Sequence, residues 1–113
     1  MPTIFLVEDE RILRVTLADD LREAGYTVFE FANAITALSQ FNKHDVDIVI
    51  SDLKLPGMDG VELLSKVTAI KPEVYFILMT AYATIETAVK AIKMGAYEFL
   101  TKPFDILLRL RQF

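Results

Sequence analysis

Four short apolar runs, each followed within two residues by polar side chains, constrain the fold of this chain more than any other feature. The runs are TIFLV at 3–7, VDIVIS at 46–51, YFILM at 75–79 and YEFL at 97–100. Runs of this length are typical of strands buried on both faces of a parallel sheet. Because parallel strands end at one edge, the polar residues should meet where open α/β folds bind ligands. These residues are Glu8-Asp9, Asp52, Thr80 and Lys102-Pro103.

Segments of helical periodicity separate the strands. We predict strands at 4–7, 26–31, 46–51, 74–79 and 96–100, with helices from Glu10 to Gly25, after Asn33, from Asp59 to about Ile70, after Thr84 and from Phe104 to Phe113. In the fourth helix the apolar residues on one face are Ile85, Ala88, Val89 and Ile92. Right-handed crossovers then give a doubly wound α/β fold, with a five-stranded parallel sheet covered by helices on both faces. The last helix looks short, and the connections alone leave the strand order open.

Composition narrows the class of protein. With 113 residues and 53% hydrophobic content, the chain can form one core, so residues 1–113 are expected to be a single domain. No apolar run approaches the ~20 residues of a membrane span, and no signal peptide is evident. The absence of cysteine fits a cytoplasmic setting. The net charge of −4 argues against direct nucleic-acid contact, and the first strand leads into Glu8 without a Gly-rich dinucleotide motif.

Three carboxylates at one edge need a counter-charge. Two unit charges ~4 Å apart repel by roughly 1 kcal/mol in water and ~4 kcal/mol at an effective dielectric of 20. A hard divalent ion such as Mg²⁺ would relieve this repulsion among Glu8, Asp9 and Asp52, and Lys102 supplies a second cation. Acid, metal, lysine and hydroxyl are the parts needed to transfer a phosphoryl group to a carboxylate. Asp52 is the expected nucleophile, because an order of 2-1-3-4-5 would place its strand in the centre.

Taken singly, each of these residues has an ordinary structural explanation. Asp52 could begin a loop, Thr80 could be a common strand residue, and Lys102 could be solvated. The convergence of all of them on one edge favours a site. His44, the one histidine in the chain, falls in a polar turn and is assigned no role.

The motifs together resemble the response-regulator receiver domain of two-component signalling. The matching segments cover nearly the whole chain and are Glu8-Asp9, the D-L-K-L-P-G-M-D-G loop from Asp52 to Gly60, Thr80-Ala81 and Lys102-Pro103-Phe104. Two segments are similar to receivers of the nitrogen-regulation class of transcriptional activators. They are M-T-A-Y-A-T at 79–84 and Y-E-F-L-T-K-P-F at 97–104. The resemblance implies the flavodoxin-like strand order 2-1-3-4-5.

The resemblance also implies a role for each site residue. Asp52 would accept a phosphoryl group from the phosphohistidine of a sensor histidine kinase, in a reaction that the domain assists without being classed as an enzyme. Mg²⁺ would be held by Asp9, Asp52 and the Lys54 carbonyl, with Glu8 acting through water. The expected phosphoryl contacts are Thr80, the Ala81 amide and Lys102, with Lys54 and Tyr82 flanking the group; Lys102-Pro103 would be a cis peptide, and Thr80 with Phe99 would form the switch.

Phosphorylation would then change the face built by the fourth helix, fifth strand and fifth helix, to control an output domain or partner. Because the fifth helix looks shortened, we also expect a homodimer through this face. Two alternatives stay open at this stage. One is a metal-dependent hydrolase of small phosphate esters, although Lys54 stands where such an enzyme would need a second Asp. The other is a degenerate receiver that serves only as an interaction module.

Overall fold

The computed structural model of the chain describes residues 1–81, 85–96, 98–101 and 110. Strands and helices alternate through these residues as the sequence predicts. The strands are β1 (Thr3–Val7), β2 (Thr27–Phe31), β3 (Ile48–Asp52), β4 (Tyr75–Thr80) and β5 (Glu98–Thr101). The helices are α1 (Arg11–Glu23), α2 (Ala34–Phe41), α3 (Gly60–Ile70) and α4 (Ile85–Lys93).

The five strands form one parallel sheet in the order β2-β1-β3-β4-β5, which confirms the predicted fold class and strand order. Val7 of β1 pairs with Ser51 of β3, and Asp52 pairs with Met79 of β4. Asp52 and Thr80 are therefore the last residues of their strands rather than the first residues after them. The central position of β3 places Asp52 in the middle of the carboxyl edge of the sheet.

Helix ends follow the local chemistry of the sequence. The side chain of Asn33 accepts a hydrogen bond from the Thr36 amide at 2.8 Å, and that of Asp59 accepts one from the Glu62 amide at 2.8 Å. Both are N-caps that satisfy an amide otherwise lacking a helical partner. Gly25 has φ +103° just after α1, a left-handed conformation that favours glycine. The predicted cap Thr84 lies outside the described residues.

Two apolar layers enclose the sheet. One layer packs α2, α3 and α4 against one sheet face, and its large buried side chains include Phe5, Phe76 and Leu64. The other packs α1 against the opposite face, around Leu6, Ile50 and Leu21, and includes buried Leu110. Helices therefore cover both faces, as predicted.

The apolar stripe of α4 faces outward. Ile85, Val89 and Ile92 are 85%, 46% and 49% exposed. The small Ala91 of the same helix is fully buried against the core. A packing contact through the stripe would be the ordinary reason for its helical spacing. Here the spacing marks a surface instead of a core face.

The predicted fifth helix, Phe104 to Phe113, lies outside the described residues except for Leu110, so its length stays a prediction. None of the helices in the described part of the chain has the length and apolar character that a bilayer crossing requires.

Candidate functional site at the carboxyl edge of the sheet

Three carboxylates converge where β1 and β3 end. Val7, the last residue of β1, pairs with Ser51, so Glu8 just after β1 lies at the same end of the sheet as Asp52, the last residue of β3. Asp9 follows in the short link to α1, and one carboxylate oxygen from each of the three residues lies within 4.8 Å of the others. The structure thus brings together the three acids that were predicted from the sequence to converge.

The three acids differ in exposure. Glu8 is 1% exposed and Asp52 is 8% exposed, whereas Asp9 lies open to solvent. The Glu10 amide donates to Glu8 Oε2 at 3.1 Å, and the Lys54 amide donates to Asp52 Oδ1 at 3.2 Å. The two buried carboxylates are therefore oriented by main-chain donors, while Asp9 can be reached from outside.

The donor set fits a hard divalent cation. At 4.8 Å each pair of ionised carboxylates repels by about 3.5 kcal/mol at an effective dielectric of 20, and by about 1 kcal/mol in water. A cation placed among the oxygens would convert this repulsion into attraction. Magnesium prefers oxygen ligands and commonly retains water beside one or two carboxylates, so Glu8, Asp9 and Asp52 could hold it.

Gly60, the last residue of the loop motif that begins at Asp52, packs directly against the site. Its amide donates to the Leu53 carbonyl at 2.9 Å. A Cβ on Gly60 would lie 2.3 Å from the Asp52 carbonyl oxygen and 3.0 Å from Leu53 Cα. Only a residue without a side chain lets the start of α3 approach the Asp52 backbone so closely. The signal was present in the sequence as Asp-Gly at a helix start, but that pattern also occurs at ordinary helix caps.

The remaining predicted residues lie around the acids or outside the described chain. Thr80 is 2% exposed and lies one residue beyond Met79, the strand partner of Asp52. Ala81 and Lys54 are exposed, as expected for residues that border an open site. Phe99 pairs with Leu78 across the β4–β5 ladder and packs, partly buried, on the layer beneath α4. Lys102, Pro103 and Tyr82 lie outside the described residues.

His44 lies away from this edge. It is exposed, as predicted, and its ring centroid is 4.4 Å from that of Phe29. The two rings are tilted by 40° to each other, and no site role follows from this contact.

A five-stranded sheet of this order, with acids just after β1 and at the end of β3 and a hydroxyl at the end of β4, defines a class of signalling domain. The family model of the response regulator receiver domain matches residues 4–110, and the chain belongs to this family. Receiver domains are signalling switches of two-component systems and are generally not classed as enzymes.

Two transcriptional regulators illustrate the closer similarities. The chain is 45% identical over 103 residues to the C4-dicarboxylate transport transcriptional regulatory protein DctD of Rhizobium meliloti. It is 36% identical over 103 residues to the DNA-binding transcriptional regulator NtrC of Escherichia coli. In each case 91% of this chain is covered, but it spans only 22% of the relative's length. These similarities confirm the predicted relation to the nitrogen-regulation class.

A solved structure gives the same result for the fold. The response regulator protein TrrA of Thermotoga maritima, in complex with Mg²⁺ and BeF, superposes with a TM-score of 0.88 at 29% identity. The match covers 99% of this chain and 98% of the other.

Proposed function

We propose that this chain is a phospho-acceptor switch in which Asp52 receives a phosphoryl group from the phosphohistidine of a sensor histidine kinase. The observation that carries the proposal is the cluster of three carboxylate oxygens within 4.8 Å at the centre of the carboxyl edge. In the transfer, a carboxylate oxygen of Asp52 forms the new O–P bond as the P–N bond of phosphohistidine breaks. The bonding electron pair returns to the imidazole nitrogen.

Metal binding is part of the proposal. Asp9, Asp52 and the Lys54 carbonyl would hold Mg²⁺, and Glu8 would act through water. The bound ion would neutralise charge on the transferring group. The hydrogen bond that the Lys54 amide donates to Asp52 Oδ1 at 3.2 Å supports this metal site. It restrains the Asp52 carboxylate next to the loop that carries the Lys54 carbonyl.

Thr80, the Ala81 amide and Lys102 would hold the phosphoryl oxygens. The exposed Lys54 side chain, two residues after Asp52, would limit the access of water to the phosphoryl group. Thr80 is buried beside the acceptor, so a phosphoryl group that draws its hydroxyl inward would change packing along β4 and β5. Phe99, partly buried beneath α4, would respond by turning inward. Both states would exist beforehand, and phosphorylation would shift their populations.

The output of the switch would be the face that includes α4 and β5. An exposed strip of Ile85, Val89 and Ile92 on α4 supports this assignment, since such a strip on a surface is typical of a protein contact. We propose that a second copy of the chain binds there, and that the switch serves transcription regulation in the cytoplasm. Residues 1–113 would form the receiver domain as one unit.

Labelling with acetyl phosphate and Mg²⁺ tests the proposal. One phosphoryl group that is stable to acid and labile to base should be added, and Asp52→Asn should abolish it. Asp59→Asn is a matched control, because the Asp59 side chain caps α3 and is not one of the three clustered carboxylates. Persistent labelling of Asp52→Asn at the wild-type level would contradict the nucleophile assignment. Turnover of small phosphate esters far beyond the protein concentration would indicate a hydrolase instead, and absence of labelling a degenerate receiver.

A further inference from the structure

A partly buried arginine on α1 connects the link between β1 and α1 to strand β2. Arg14 is 16% exposed, and its Nη1 donates to the Glu8 carbonyl at 2.9 Å. Its Nε lies 3.6 Å from Glu30 Oε1 on β2. Glu30 Oε2 in turn accepts a hydrogen bond from Arg22 Nη1 at 3.0 Å. Glu30 thus joins two arginines of α1, and one of them reaches the main chain of the candidate site.

The orientation of the Glu8 carbonyl determines how the Asp9 side chain is placed. The Glu8 amide donates to the Phe31 carbonyl at 3.0 Å, and α1 begins at Arg11, so a short link sets the directions of both the Glu8 and Asp9 carboxylates. The Glu8 carbonyl and the Asp9 nitrogen share one rigid peptide plane. A bond that fixes this carbonyl therefore fixes the plane from which the Asp9 side chain projects.

We propose that Arg14, itself held by Glu30, is a positioning residue that fixes the Glu8–Asp9 peptide at the geometry a small divalent cation requires. The inference rests on the proposed metal-assisted switch. Charge-assisted bonds are shorter and stronger than neutral ones, and a guanidinium held by two groups has few alternative orientations. Arg14 would act through the main chain and would not contact the ion.

Charge and geometry predict opposite effects for the removal of Arg14. The guanidinium is a positive charge near the acids, so its loss alone should make a cation bind more tightly. Loss of the bond to Glu8 should loosen the peptide and make a cation bind less tightly. The sign of the change in affinity therefore separates positioning from simple electrostatics.

The ratio of Mg²⁺ affinity to Ca²⁺ affinity is a second readout, which a general loss of stability would not change. Mg²⁺ demands near-ideal octahedral geometry, whereas Ca²⁺ accepts flexible coordination at longer distances. A loosened peptide should therefore penalise Mg²⁺ more than Ca²⁺. Changes to groups that orient metal ligands typically cost about 10-fold to 100-fold in affinity.

The experiment titrates Mg²⁺ and Ca²⁺ separately into the full chain and its Arg14→Gln variant, with amide NMR shifts as the readout. We expect the Mg²⁺ Kd of Arg14→Gln to rise at least about tenfold, and its Ca²⁺ Kd to rise less than about threefold. Arg22→Gln is the matched control, because it removes the same charge and the other ion pair of Glu30 but leaves the bond to Glu8. Both of its affinities should stay within about twofold of wild type.

Three results would overturn the proposal. They are an unchanged or lower Mg²⁺ Kd in Arg14→Gln, an equal loss of affinity for both metals in Arg14→Gln, and an equal loss of Mg²⁺ affinity in Arg22→Gln.

Should Arg14→Gln fail to fold, Glu30→Gln provides the test, since it removes the ion pair that holds Arg14 but keeps the guanidinium that donates to the Glu8 carbonyl. It should weaken Mg²⁺ binding more than Ca²⁺ binding, and an unchanged ratio overturns the proposal. A wild-type chain without a saturable Mg²⁺ response would overturn the proposed function as well, whereas a normal wild-type response beside an unchanged Arg14→Gln overturns the positioning role alone.

Discussion

Gly60→Ala should test whether the close packing of α3 against the Asp52 backbone is needed for Mg²⁺ binding. It should weaken Mg²⁺ binding at the site while the protein still folds. The added Cβ would lie 2.3 Å from the Asp52 carbonyl oxygen and 2.9 Å from Leu78 Cδ2. An ordinary C···O contact is about 3.3–3.6 Å, so α3 or the Asp52 backbone must move by about 1 Å. Such overpacking costs about 1–3 kcal/mol, and the better helix propensity of alanine offsets at most about 1 kcal/mol of it.

The shift should reach the site because the carbonyl that moves belongs to Asp52, the proposed phosphoryl acceptor. We expect Gly60→Ala to unfold with a free energy about 1–2 kcal/mol lower than wild type, and to lose about tenfold or more in Mg²⁺ affinity. Chemical denaturation measures the first quantity, and a Mg²⁺ titration measures the second. The rate of labelling by acetyl phosphate should fall with the Mg²⁺ affinity.

Gly95→Ala is the matched control for this prediction. Gly95 has φ +106°, and a Cβ there would meet Thr68 Cγ2 at an ordinary 3.6 Å. Alanine at this angle is strained by about 1–2 kcal/mol, so stability should fall while the site is unaffected. The reasoning would be refuted by a folded Gly60→Ala that binds Mg²⁺ and accepts phosphate like wild type, or by equal losses of affinity in both variants.

Three further predictions address the metal, the switch and the surface. Asp9→Ala should raise the metal-free unfolding free energy by about 0.5–1 kcal/mol through relief of repulsion, yet abolish most of the stabilisation by Mg²⁺; an unchanged Mg²⁺ response in denaturation would exclude Asp9 as a ligand. Thr80→Ala should still accept phosphate but lose much of the activation shift in amide spectra of α4 and β5, and survival of the full shift would place the coupling elsewhere. Ile92→Ser on the exposed strip of α4 should change stability by less than about 0.5 kcal/mol and weaken self-association in sedimentation; a wild-type chain that stays monomeric at high concentration, with and without a phosphoryl mimic, would contradict the dimer.

The sequence predicted the strands well because their apolar runs are short, nearly unbroken and bounded by turn residues. Strand order did not follow from the runs, since the connections permitted more than one arrangement, and it came from the resemblance to receiver domains. Once β1 and β3 are neighbours, the convergence of Glu8 and Asp52 follows from their places at the strand ends. The acid cluster was therefore predictable down to the residue.

The orientation of α4 was not predictable from periodicity. The spacing of Ile85, Val89 and Ile92 identifies a stripe, but it does not say whether sheet or solvent lies opposite. The helix instead buries Ala91, a small residue that contributes little to an apolar pattern. Burial here depends on how closely the helix approaches the sheet, which is a tertiary property.

The groups that support the site were missed for a similar reason. Arg14 and Glu30 look like exposed charges on a helix and an edge strand, and only the fold brings them together beneath the Glu8 carbonyl. Likewise, the need for glycine at position 60 arises from the Asp52 carbonyl of a different element. The local sequence contains no signal for the Arg14 contact, and the Asp-Gly pattern that ends at position 60 also occurs at ordinary helix caps.

Direct location of the phosphorylated residue tests the central claim most sharply. The chain would be labelled with acetyl phosphate and Mg²⁺, reduced with borohydride, which converts an aspartyl phosphate to homoserine, and digested for mass spectrometry. We expect homoserine at position 52, and none when Mg²⁺ is replaced by a chelator. Homoserine at another aspartate, or a labelled protein without any homoserine, would contradict the assignment of Asp52 as the acceptor.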